Sequence, residues 1–211
     1  MLVVAGAIAC LWLTSPDPAW LAAHDALEPA PVIAALNGET CARAEKAAAL
    51  YAARYGREIW LTDDPAGGAE QDAGTRANRR CLTEVHRIPA DAIHVVPERI
   101  SPHWASKTFA EIGIIQRELA RRGIDRVVLV TSRLQGARTR VIWDLRAGAS
   151  PIAVSQHPAE DTNVGGENFV KELGKAAPLW IPWILTRSPL EHLGRARVGV
   201  AGPREQQRCR C

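Results

Sequence analysis

From residue 31 onward, short apolar runs alternate with longer stretches in which apolar positions recur at helical spacing, the pattern left by successive strand–helix units of a parallel sheet. Five runs read as strands: Pro31–Leu36, Glu58–Thr62, Ala92–Val96, Arg126–Thr131 and Pro151–Ser155. The fourth is an unbroken, largely β-branched run of the kind buried on both faces of a sheet. Between them, Glu39–Tyr55 carries Ala44, Ala47, Ala48, Leu50 and Tyr51 at helical spacing, with Gly56 as its stop. Thr75–Val85, Ala105–Arg122 and Leu134–Leu145 are the other helices. The fold class expected is α/β: a three-layer Rossmann-like sandwich with a mainly parallel sheet of about five strands joined by right-handed crossovers.

The length of 211 residues suits a single domain with a sizeable core. We place that domain at residues 20–200, after an apolar segment 1–19 and before a tail 201–211. Apolar residues make up 47% and charged residues 23%, which excludes a disordered or fibrous chain. The net charge of +3 is dispersed, and the clearest basic cluster, Arg117, Arg121 and Arg122, shares its helix with Glu118. A solvated helix face explains it, so no nucleic-acid partner is expected.

Leu2–Leu13 is apolar and uncharged, but its roughly twelve residues fall short of the roughly 20 that cross a bilayer as a helix. A membrane anchor, a signal segment and a terminal helix packed on the domain all remain open. The lack of an amphipathic stripe favours the first two, hence an inner-membrane or periplasmic location with membrane contact through the N-terminus. Pro178–Leu185 is also apolar and either packs over the sheet edge or meets a membrane.

The five cysteines show no paired CxxC spacing, so no metal site is expected. Cys41 and Cys81 read as small buried residues, and Cys209 and Cys211 lie in the tail. His86, His94, His103, His157 and His192 show neither ligand spacing nor a Ser-His-Asp arrangement.

In open α/β sheets the ligand sits beyond the carboxyl ends of the strands. That edge should gather Asn37 and Gly38 after the first strand, Asp63 with Asp64 after the second, and Glu98 after the third. After the fourth come Thr131, Ser132, Gln135 and Arg138. The amides opening each following helix suit a phosphate or carboxylate. Glu98 is the candidate acid–base group, and Arg138 lies near enough to pair with it or with a ligand phosphate. The hydroxyls of Thr131 and Ser132 reach either a bound anion or, as caps, the next helix's amides. No G-x-G-x-x-G follows the first strand, so no motif names a cofactor.

The same segments, in order, resemble the domain of unknown function shared by the SanA, ElyC and YdcF proteins of bacteria. The stretch Asp25-Ala-Leu-Glu-Pro-Ala30 is similar to that family's entry to its first strand, and Arg43 with Ala47, Leu50 and Tyr51 to its Arg-containing first helix. Ile88-Pro89 through Ile93, Glu98, and Ser106-Lys107-Thr108 with Glu111 follow, and Val130-Thr131-Ser132 with Arg138 closes the match. The resemblance covers roughly residues 20–155 and implies a cell-envelope protein acting in cell-wall or lipid-carrier metabolism. It also adds Ser106 and Thr108 to the site and makes the partner an anionic small molecule or a lipid-linked phosphate. Two positions depart from the pattern: Gln135 stands in place of a His, and Thr75-Arg76-Ala77 in place of Ser-Glu-Ala. A glutamine exchanges no proton near neutral pH, which leaves open a binding-only domain. A soluble nucleotide or S-adenosylmethionine binder is the third reading.

Overall fold

The computed structural model describes residues 25–37, 41–63, 73–96, 107–147 and 152–160. They form one sheet of five parallel strands: β1 (Val32–Ala35), β2 (Glu58–Leu61), β3 (Ile93–Val95), β4 (Arg126–Ser132) and β5 (Ala153–Ala159). The spatial order is β3-β2-β1-β4-β5, so the chain runs outward from the middle in one direction and then in the other. β1 is hydrogen-bonded to β2 on one side and β4 on the other, with Ala35 level with both Leu61 and Val130. The topological switch point of a doubly wound sheet therefore falls between β1 and β4.

Among the described residues, four α-helices cover the sheet: α1 (Ala42–Ala52), α2 (Ala73–Arg80), α3 (Lys107–Arg121) and α4 (Gly136–Ala147). Alternation along β1 decides which layer each meets. Ile33 and Ala35 pack with Ala44, Ala47 and Ala48 of α1 and with Cys81 and Leu82, which continue α2 as a π-helical turn. Val32 and Ala34 face the other way, onto Ile112, Ile115 and Leu119 of α3 and Ile142 and Trp143 of α4. The three-layer α/β architecture is thus present, and the central strands are buried on both sides: in β4 only Arg126 is exposed.

Two local features differ from the sequence reading. The left-handed residue that ends α1 is Arg54 (φ 63°), so Gly56 is not the stop. Gly56 is instead needed for close approach, since a Cβ there would lie 2.5 Å from Cγ1 of Ile33. At the other side of the sheet, β5 continues past Ser155 to pair its whole length with β4, Ser132 level with Ala159. Pro158 is tolerated because β5 is an edge strand with a ladder on one side only. The outer edge of β5 is covered by Asp25, whose carboxylate accepts from the Gln156 amide at 2.9 Å and from Arg140 at 2.6 Å.

The basic cluster sits at the end of α3. Arg121 and Arg122 both donate to Glu118 at 2.7 Å, and the Arg122 guanidinium lies 4.9 Å from the Trp60 ring centroid. The paired guanidinium of Arg121 holds the Glu118 carboxyl down at about 2, against the smaller opposing effect of burial. The apolar runs Leu2–Leu13 and Pro178–Leu185 lie outside the described residues. No helix among the described residues is long and apolar enough to cross a membrane.

Candidate functional site

A group of buried polar side chains closes the carboxyl end of the sheet around the switch point. Asn37 leaves β1, Thr62 leaves β2, Thr131 and Ser132 end β4, and Arg43, Glu111 and Arg138 reach the same edge from α1, α3 and α4; all seven are buried. Burying so many polar groups is tolerable only if they satisfy one another.

Glu111 and Thr62 meet first. The Thr62 hydroxyl donates to Glu111 Oε1 at 2.7 Å, and the Asn37 backbone amide donates to the same oxygen at 2.9 Å. The Asn37 side-chain amide donates to Thr75 Oγ1 at 3.2 Å, and the Thr75 hydroxyl donates to the Thr62 carbonyl at 2.9 Å. Loss of hydration pushes the Glu111 carboxyl above the ordinary carboxylate range, outweighing the two hydrogen bonds and the Arg43 charge that favour ionisation. A carboxyl so placed retains its proton to higher pH than usual, as general acids do.

Arg43 ties α1 to both halves of the sheet. It donates to the Leu36 carbonyl at 3.1 Å, to the Asn37 carbonyl, and to Gln135 Oε1 at 3.3 Å. Its Nε and Nη2 both donate to Ser132 Oγ, at 3.1 and 2.5 Å. A hydroxyl has two acceptor lone pairs and one proton. With both lone pairs engaged by Arg43, the Ser132 proton is the part of this group left to offer a ligand. Ser132 does not cap the helical turn that follows it, which removes the capping alternative for this residue.

Arg138 donates to Thr108 Oγ1 at 3.0 Å, binding α4 to the first turn of α3. The Thr131 hydroxyl lies 3.5 Å from that of Thr139 on α4, beneath the cluster. Asp63, half-buried, follows Thr62 at the end of β2. Of the candidates from sequence, then, Asn37, Asp63, Thr108, Thr131, Ser132, Gln135 and Arg138 are placed at this edge, whereas Gly38, Glu98 and Ser106 lie outside the described residues. The pairing of Arg138 with Glu98 also falls outside them.

Arg43, Thr62, Thr75 and Glu111 were not among the candidates, yet they form the centre of the network. A signal for two of them exists in the sequence. Arg43 shares its helical stripe with Ala47 and Leu50, and Glu111 shares one with Ile114 and Ile115, so each places a charge on an apolar face. The two threonines end a strand and open a helix with no comparable mark.

A separate open groove of about 590 Å³ is lined by Tyr51, Ala52, Arg54, Gly56 and Arg57 at the opposite, amino edge of the sheet, remote from these groups. Fold and site together define an all-parallel Rossmann-like α/β domain with a buried polar cluster at its switch point. The chain matches no protein-family model and no curated protein.

Proposed function

We propose that the switch-point cluster binds an anionic, phosphate-bearing ligand, and that the protein is a divergent YdcF-like member of the bacterial cell envelope acting in cell-wall or lipid-carrier metabolism. The observation that carries the anion is the convergence of donors. Two buried guanidiniums, Arg43 and Arg138, reach this edge, and the buried carboxyl beside them among the described residues, Glu111, has its neutral form favoured by burial. Guanidiniums are strong charge-assisted donors to phosphate oxygens, and the Ser132 proton supplies a further donor. Glu111 joins Glu98 as a candidate for the acid–base role. The envelope setting rests on the motif resemblance, which includes Arg43, Thr108, Glu111, Ser132 and Arg138 themselves.

A binding-only domain is the second reading, and Gln135 favours it. Its Oε1 is already engaged by Arg43, and an amide there can neither accept nor release a proton in turnover.

The test is calorimetry on the full chain with a short-chain polyprenyl phosphate, a nucleotide panel and S-adenosylmethionine. The polyprenyl phosphate should bind, and Arg138→Ala should weaken it at least tenfold. Because Arg138 is buried, the half-buried Gln135→Ala is run beside it and should weaken binding with the fold intact. Binding indifferent to both substitutions, or silence across the panel, overturns the assignment. Subsequent hydrolysis of the bound phosphate would separate an enzyme from a binding domain.

A further inference from the structure

Away from the polar cluster, and sharing no residue with it, three side chains with ligand chemistry meet where α1 packs on the π-helical turn after α2, with Cys41 as a fourth beside them. One ligand atom each from Glu45, Cys81 and His86 lies within 4.8 Å of the others. The Cys41 side chain lies near that of Cys81. We propose that Cys41, Glu45, Cys81 and His86 form a binding site for a borderline-soft divalent cation of the zinc class.

Local geometry explains why these four converge. Cys41 and Glu45 stand four residues apart at the start of α1, where the Glu45 amide donates to the Cys41 carbonyl at 2.8 Å, so the two side chains share a face. Cys81 and His86 are five apart, a spacing that an α-helix directs to different faces. The chain here is wound as a π turn, with the His86 amide donating to the Cys81 carbonyl at 3.1 Å, and this wider turn stacks residue i+5 over residue i. Single π turns inside helices are uncommon and concentrate at functional sites.

The second observation concerns His86. Its Nε2 is buried and has no hydrogen-bond partner among the described residues. An orphaned buried polar atom is destabilising, and a metal ion is a partner that would remove that cost. Binding is written as a dication replacing the two thiol protons, which leave to solvent, with no change of oxidation state.

The ligand set suits the class. Thiolate sulfur, imidazole nitrogen and carboxylate oxygen in a set of four are the donors of tetrahedral zinc, and a tetrahedral ion holds its ligand atoms about 3.3–3.8 Å apart. The side chains therefore need to close by about 1 Å, which the exposed Glu45 and the half-buried His86 can do by rotating. Glu45 also marks the route of entry, since it is the solvent-facing member of the set.

The experiment is titration of the reduced, metal-free full chain with cobalt(II), followed by displacement with zinc. One equivalent should give a thiolate-to-cobalt charge-transfer band with tetrahedral d–d absorption, bleached by zinc. His86→Gln and Glu45→Gln should each lower the affinity at least tenfold. Glu45 is exposed, so its substitution leaves the fold intact, and Cys209→Ser with Cys211→Ser, which removes the tail thiols, should change nothing. Absence of the band, its survival in both His86→Gln and Glu45→Gln, or its loss with the tail cysteines overturns the proposal, as does a Cys41–Cys81 disulfide that resists reduction.

Discussion

Arg43 and Ser132, 89 positions apart in the chain, are joined by two hydrogen bonds, from Nε at 3.1 Å and from Nη2 at 2.5 Å. The pair crosses the switch point and holds α1 against the end of β4.

Removing either partner leaves buried groups unsatisfied. Ser132→Ala should cost about 1.5–3 kcal/mol, the range for a hydrogen bond to a charged group. Arg43→Ala, which also removes a donor to the Leu36 and Asn37 carbonyls, should cost about 3–5 kcal/mol. The double variant should fall short of the sum by about 0.5–3 kcal/mol in urea unfolding, and strict additivity would mean the contact carries no coupling.

Glu111 makes stability depend on pH in a stated direction. Because burial raises its pKa above the ordinary 4.5, the folded protein holds a proton that the unfolded chain has already released. The group's contribution is full below about pH 4.5 and is lost as pH rises through the raised folded value. Glu111→Gln keeps an oxygen to accept from Thr62 and Asn37 but does not titrate. The melting temperature of the wild type should decline relative to this variant from about pH 4.5 upward, and parallel profiles would contradict the shift.

Glu118 acts with the opposite sign. Its carboxyl is lowered to about 2 by Arg121 and Arg122, so its stabilisation is present above about 4.5 and disappears as pH falls toward 2. Glu118→Gln should lower stability by about 1 kcal/mol at neutral pH, as for a partly exposed ion pair, and should make acid unfolding shallower. Circular dichroism against pH for both proteins checks it.

Gly56→Ala drives a methyl into the side chain of Ile33, which is fully buried. Overpacking of this kind costs about 1–3 kcal/mol. At Gly123, with φ +66° and open space where a Cβ would go, alanine meets backbone strain alone, so Gly123→Asn should be close to neutral. Guanidinium unfolding of the three proteins separates the two causes.

Strand and helix positions were legible because the periodicity is strong: Val127–Val130 and the Ala-rich stripe of α1 leave little room for another reading. What the sequence hid was the partner of each polar residue. Ser132 reads as a helix cap until Arg43 is found 89 positions away to occupy its oxygen. His86 and Cys81 read as unrelated because a spacing of five has no meaning in an α-helix, and the π turn that gives it one has no sequence mark. Gly56 reads as a helix stop because glycine serves that purpose often, whereas its neighbour across the fold, Ile33, sets the requirement here.

The split origin of the cluster has a consequence for when in folding it forms. Asn37 and Thr62 come from the β1–β2 side, Ser132 and Arg138 from the half synthesised later, and β4 joins β1 only after a crossover through β2, β3 and α3. Neither half of the chain holds the whole cluster, so a ligand that occupied it would report that the whole sheet has assembled. A ligand specific for that cluster would therefore act as a folding sensor, selecting finished molecules over nascent or clipped ones.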